Sequence, residues 1–203
     1  MIEINRYLAT LMYVKKYKSA HILDVGCGSG IMSIMFEELG LNPIAIDKVK
    51  PLGFELPFVL CDVSSQGLPF ADKSFDIVYM GAFIEHLPNG HKKVLQEAYR
   101  VLKPNGIIIL DTPNIACLIN RIRLLLGRSP TTAIEWFFNS PDYIGHYREF
   151  TRKEVKIMLE HTGFRVVKSK MIDLSSIQNP VPQVRLCIWV VGQKQGDNKH
   201  EHS

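Results

Sequence analysis

The run Asp24-Val25-Gly26-Cys27-Gly28-Ser29-Gly30 restricts this chain more than any other part of it, because glycine stands at every second position directly after the apolar stretch His21 to Val25. Beyond the glycines, Ile31, Ile34, Met35 and Leu39 recur at helical spacing until Gly40 ends the pattern. The reading is strand, tight turn, helix. Gly26 and Gly28 can take positive φ and let a ligand touch the backbone, while Gly30 lets the helix start lie close to the strand.

The same alternation continues. Strands are expected over Leu41 to Ile46, ending at Asp47, over Phe58 to Leu60, ending at Cys61-Asp62, and over Phe75 to Met80. Further strands are expected over Ile107 to Leu110, Phe164 to Lys170 and Val184 to Val191. A helix is expected over His91 to Leu102, closed by the turn Lys103-Pro104-Asn105-Gly106, in which asparagine tolerates the left-handed conformation. Thr151 and Glu154 form a capping box for a helix running to Gly163. Near the N-terminus, Ile4, Tyr7, Leu8, Leu11 and Met12 make one apolar helix face. Strands alternating with helices imply an α/β fold with a mostly parallel sheet, which binds ligands beyond its strands' C-terminal ends.

One domain is expected over 1–192, with an N-terminal helix in 1–19, an insertion over 112–150, and a disordered polar tail over 193–203. The insertion carries a helix over Leu118 to Leu126 and the aromatic residues Trp136, Phe137, Phe138, Tyr143, Tyr147 and Phe150, and a long insertion at the ligand edge reads as a lid. Contact of that helix with a membrane or an amphipathic substrate is the alternative. Hydrophobic residues at 46% and charged residues at 22% argue against disorder and against a membrane-embedded chain. With no apolar run long enough to span a bilayer and no secretion signal at the start, a cytoplasmic location is expected. Cys27, Cys61, Cys117 and Cys187 form no metal-ligand spacing, and the mild net charge of +4 without a dense basic run argues against nucleic acid.

Three acids lie on the strand ends. Asp47 stands about twenty residues beyond the glycines, where a carboxylate can hydrogen-bond both ribose hydroxyls, and Asp62 ends the third strand, with a turn aspartate as its lesser reading. A dinucleotide fingerprint would need a small residue at position 31, where this chain has Ile31. Asp24 beside the turn would repel a pyrophosphate, yet it suits the ammonium group of S-adenosylmethionine.

The segments Ile22 to Gly30, Leu68 to Val78, Ile84-Glu85-His86-Leu87 and Arg100 to Gly106, with echoes over His146 to Thr151 and Leu159 to Phe164, resemble the successive motifs of class I S-adenosylmethionine-dependent methyltransferases. The likeness is to the type 11 family, related to the ubiquinone and menaquinone methylases. It implies a Rossmann-like, seven-stranded sheet with the last strand antiparallel. It also implies that Asp24, Gly26, Cys27, Gly28 and Gly30 hold the amino acid and sugar of S-adenosylmethionine. Asp47 with Lys48 would bind the ribose, Asp62 with Val63 the adenine, and Met80, Gly81 and Ala82 would face the methionine portion.

Two departures stand out. Asn105 replaces the usual glycine, and Lys48 to Phe54 is too short for a crossover helix, which leaves the adenine side more open.

The methyl on a sulfonium is already activated, so the protein's work is alignment and exclusion of water. His86 or His146 would serve as a base only for a hydroxyl acceptor, and His86 could instead pack or cap the next helix. No metal is expected, because Glu85 and His86 make only two ligands and Ala82 offers no third. The expected partner is a small-molecule acceptor, with O-methylation of a sugar, lipid-linked or quinone-like metabolite favoured by the resemblance. A homodimer stays open, and no stable membrane insertion is expected. A silent S-adenosylmethionine-binding module and an NAD-dependent oxidoreductase are the rival readings.

Overall fold

The computed structural model describes residues 4–130, 145–172 and 186–196. Its strands are β1 (His21–Val25), β2 (Asn42–Asp47), β3 (Phe58–Leu60), β4 (Phe75–Gly81), β5 (Leu102–Pro113), β6 (Phe164–Ile172) and β7 (Cys187–Lys194). They form one sheet in the order β3-β2-β1-β4-β5-β7-β6. The first five pair in parallel, and β7 runs antiparallel between β5 and β6. This is the Rossmann-like arrangement expected from the alternation of strands and helices.

Helices α1 (Ile4–Val14), α2 (Ile31–Glu38), α3 (Val63–Gln66), α4 (His91–Val101), α5 (Leu118–Leu125) and α6 (Arg152–His161) accompany the sheet. Successive strand residues point to opposite faces, and two cores follow from that parity. Ile22, Ile77, Tyr79, Ile107 and Ile109 pack with Phe36 of α2 on one face. On the other, Leu23, Val78, Met80, Ile108 and Leu110 pack with Val94 of α4 and Val155 of α6. The central strands are therefore apolar on both sides, as buried parallel strands must be.

Several elements begin and end as the sequence indicates, β3 among them. The capping box is complete, with Glu154 N donating to Thr151 Oγ1 at 3.2 Å and Thr151 N donating to Glu154 Oε2 at 2.7 Å. Asn105 adopts φ of 64°, the left-handed turn position that its side chain tolerates. No helix occupies the connection between β2 and β3.

Others differ. In α1 the buried residues are Arg6, Thr10 and Val14, whereas Ile4, Leu8 and Met12 of the expected apolar face are exposed. Hydrogen bonding explains the inversion: Arg6 reaches a buried carboxylate, and Thr10 accepts from Trp189 Nε1 at 2.9 Å. In α2, likewise, Met32, Ser33 and Phe36 are buried and Ile31 and Ile34 are exposed. Strand β7 continues through Gln193 to Lys194, residues expected in the polar tail. The buried Lys194 ammonium donates to the carbonyls of Tyr99 and Leu102 at 2.7 and 2.8 Å, where α4 leaves carbonyls without helical partners. Phe150, expected among the insertion's aromatics, is a core residue stacked edge-on with His91. Tyr147 is exposed, and Trp136, Phe137, Phe138 and Tyr143 lie outside the described residues.

Candidate functional site

At the C-terminal end of β1 the chain turns through Gly26 to Gly30 into α2 and opens a crevice of about 200 Å³, lined in part by Asp24, Gly26, Cys27, Gly28, Tyr79 and Gly81. Gly28 has φ of 54°, and a Cβ placed on it would meet nothing within 4 Å. The glycine therefore leaves free space on the crevice side of the backbone while holding a conformation other residues resist. Gly30, at φ of 78°, serves a different purpose from the expected helix-to-strand approach: a Cβ there would strike the Phe54 ring. Phe54 packs with Cys27, Ala45 and Phe58, closing the flank where a crossover helix is missing. Burial pushes the Cys27 thiol up to about 12, so it is a neutral lining group.

Two carboxylates stand at the turn. Asp24 is fully buried on the α2 side and accepts from Ser33 Oγ at 2.6 Å. Burial pushes its pKa up to about 7; the Ser33 hydrogen bond opposes the rise, and the negative charges of Asp47 and Asp111 add to it. Asp47 Oδ2 accepts from Gly28 N at 2.9 Å and its Oδ1 from Lys48 N at 2.7 Å, so the end of β2 is tied to the glycine turn.

The crevice also holds residues that the sequence pattern did not announce. Arg6 and Tyr7 reach it from α1. Arg6 Nη1 donates to Asp111 Oδ1 at 2.7 Å, and Tyr79 donates to Asp111 Oδ2 at 2.9 Å, both in the buried interior. Burial still raises the Asp111 pKa in spite of Arg6. No local spacing links Arg6 to Asp111. An arginine within the largely apolar helix α1 was the available hint. Ala82, also on the crevice wall, takes φ of 47°, a conformation rare outside glycine.

A second cluster lies on the opposite face of the same strand edge. Thr112, next to Asp111 in β5, donates to Glu85 Oε2 at 2.9 Å. Glu85 is fully buried, its Oε1 has no hydrogen-bond partner among the described residues, and burial raises its pKa. The chain returning from the insertion brings His146 here, because Tyr147 N donates to the Glu85 carbonyl at 2.8 Å. The His86 and His146 rings meet edge-on with centroids 4.9 Å apart. His146 Nδ1 lies 2.9 Å from Glu149 Oε1, and that bond first, then the nearby Glu85 charge, raises the His146 pKa. Glu85, His86 and His146 bring ligating atoms within 4.8 Å of one another. The count of two metal-capable groups, read from Glu85-His86 alone, is thus corrected to three by a residue sixty positions away in the chain.

The sequence candidates divide accordingly. Asp24, Gly26, Cys27, Gly28 and Gly81 line the crevice, and Asp47 with Lys48 adjoins it through the Gly28 bond. Met80 is wholly buried in the core beneath the wall that Gly81 and Ala82 form. Asp62 caps α3, accepting from Ser64 N at 3.0 Å and Ser64 Oγ at 2.6 Å, which holds its pKa down, and Val63 is buried beside it. The turn-aspartate reading of Asp62 therefore describes what its carboxylate does in this structure.

Fold and crevice define a class I methyltransferase-like sheet. The family model described as "Methyltransferase domain" matches residues 3–169, and the chain belongs to that family. A demethylmenaquinone methyltransferase from Listeria monocytogenes is 35% identical over 122 residues, 52% of this chain and 51% of its own length. A probable S-adenosylmethionine-dependent methyltransferase from Mycolicibacterium smegmatis is 29% identical over 150 residues, 71% of this chain and 52% of its own. The chain thus spans about half the length of these curated relatives. Among solved structures, a Methanosarcina mazei S-adenosylmethionine-dependent methyltransferase superposes with a TM-score of 0.67 at 22% identity, covering 92% of this chain and 98% of that one. The Burkholderia thailandensis 1,6-didemethyltoxoflavin-N1-methyltransferase, solved with S-adenosylhomocysteine, gives a TM-score of 0.65 at 20% identity, covering 94% of this chain and 77% of that one. At those identities the likeness is one of fold.

Proposed function

We propose that the chain is an S-adenosylmethionine-dependent methyltransferase acting on a small molecule. The observation that carries this is Asp24: a fully buried carboxylate with no cation bonded to it among the described residues, beside two further acids, opening on a crevice whose Gly28 leaves room for a ligand. Such a site is incomplete until a cationic group enters it, and an ammonium is the natural partner. A pyrophosphate would meet Asp24 and Asp47 at the turn as repulsion, which disfavours a nicotinamide dinucleotide.

S-adenosylmethionine, when bound, supplies an activated methyl group. Asp24 would pair with its ammonium, the Gly26 to Gly30 backbone would cradle its amino acid and sugar, and Asp47 with Lys48 would meet the ribose. Arg6 and Tyr7 line the crevice from α1. Glu85, His86 and His146 stand on the neighbouring side of the β5 end. Glu85 has an unbonded oxygen there and His146 an adjacent carboxylate, so the group can take a proton from a hydroxyl acceptor. That favours O-methylation. The demethylmenaquinone methyltransferase relatives favour a quinone-like or lipid-linked acceptor over a polar metabolite.

Calorimetry of the chain with S-adenosylmethionine and with NAD, followed by transfer of labelled methyl into a metabolite extract, tests the proposal. Binding of the sulfonium compound with label in product supports it. Binding without transfer would make the chain a silent module, and binding of NAD alone would make it an oxidoreductase.

A further inference from the structure

Helix α5 leaves β5 at the ligand edge and is amphipathic in the reverse sense of an ordinary surface helix. At about 100° per residue, Leu118, Ile119, Ile122 and Leu125 fall on one face with Leu126 just beyond, and all are exposed, Leu125 to 86%. Asn120, on the opposite side, is the helix's buried residue. A globular surface helix turns its apolar face inward; here the one inward residue is Asn120, and every leucine and isoleucine of the helix is exposed, Leu124 beside Asn120 included. Arg121 and Arg123 flank the two edges of the apolar face, and Arg128 follows it. No acidic residue occurs between Thr112 and Pro130.

Helix α1 repeats the arrangement independently. Its exposed residues are Ile4, Leu8 and Met12, its buried ones include Arg6 and Thr10, and Lys15, Lys16 and Lys18 follow. No acidic residue occurs between Ile4 and Ala20. Both helices adjoin the C-terminal end of β5, α1 through the Arg6 to Asp111 bond and α5 through the chain at Pro113 and Asn114. The base of the α5 insertion is pinned there by the Asn114 to Phe150 bridge.

We infer that the outward apolar faces of α5 and α1 dock this chain on an anionic lipid surface beside the mouth of the crevice. A shallow amphipathic helix with leucines inserted and arginines at its flanks suits the boundary between headgroups and acyl chains. Cations without acids draw it to a negatively charged leaflet. A symmetric pairing of two copies through α5 fits worse, because it would set each arginine-flanked face against its own copy. Among the described residues no helix is long and apolar enough to cross a membrane, so the attachment is peripheral.

Flotation of the full chain with vesicles of phosphatidylcholine, alone or with about one third phosphatidylglycerol, tests this. The chain should float at least about tenfold more with the anionic vesicles and should lose most of that binding near 0.5 M salt. Ile122→Glu combined with Leu125→Glu should cut flotation at least about fivefold, and Arg123→Gln combined with Arg128→Gln should lower its salt dependence. Both double variants should keep the wild-type circular dichroism. Flotation with neither vesicle type, or glutamate variants that float like wild type, would overturn the inference. So would a dimer in light scattering that the glutamate variant dissociates, since the face would then belong to a second copy. Flotation needs neither cofactor nor acceptor, so it succeeds or fails separately from the function proposed above.

Discussion

Asp24 and Glu85 are both wholly buried carboxylates at the C-terminal edge of one sheet, and burial pushes both pKa values upward, yet they stand on opposite faces with opposite neighbours. Around Asp24 the nearby charges are Asp47 and Asp111, which make its ionised form harder to hold. Around Glu85 the nearby charges are Asp111, which again makes the ionised form harder to hold, and His146, which acts in the other direction more weakly. Among the described residues the first carboxylate has no cation bonded to it and is suited to receive one from a ligand; the second has a titratable partner in His146 and is suited to exchange a proton. A buried carboxyl group and the nearby Asp111 are shared, so Asp47 beside the one and His146 beside the other separate their chemistry.

That contrast can be broken most severely at the glycine turn. Gly28→Val would place a branched side chain in the open crevice on a backbone at φ of 54°, and S-adenosylmethionine affinity should fall by about 100-fold or more in calorimetry. On the other face, Glu85→Gln should leave that affinity unchanged and lower methyl transfer to a hydroxyl acceptor by roughly 10- to 100-fold. Equal losses of binding in both variants would mean that the two clusters are one site.

A smaller effect separates the two roles of Asp24. Asp24→Asn keeps the shape and the Ser33 hydrogen bond while removing a buried charge, so the ligand-free chain should melt higher at pH 8, by about 5 °C. The same variant should bind S-adenosylmethionine roughly tenfold more weakly. A variant that is both less stable and weaker in binding would show that Asp24 already has its compensation within the protein.

The smallest shift is with pH. The folded Asp24 pKa, near 7, lies above its unfolded value, so between those two values the native state holds a proton that the unfolded state has lost. Stability of the ligand-free chain should therefore fall as pH rises from about 4.5 to 7.5. Glu85 and Asp111, also raised, add with the same sign. Ligand affinity should rise over that range, because pairing with an ammonium needs the ionised carboxylate. Melting temperature against pH for the wild type and Asp24→Asn measures the Asp24 share.

Much of the crevice was legible because it comes from contiguous chain. A strand, alternating glycines and a helix leave few ways to fold, and acids at successive strand ends fall on one edge because parallel strands share a direction. The capping box and Asn105 were readable for the same reason: their physics lies within a few bonds of each residue. The faces of α1 and α2 were misassigned because hydropathy spacing presumes that apolar side chains go inward. In α1 that presumption fails because Arg6 and Thr10 find buried hydrogen-bond partners in β5 and β7.

By itself, then, the sequence determined the α/β class, the glycine turn and the acids around it, since these depend on backbone conformation and on order along the chain. Tertiary structure alone brought His146 to Glu85, Arg6 to Asp111 and Lys194 to the end of α4. Those meetings join residues from distant segments, and burial with specific neighbours sets their charge, which no local pattern encodes.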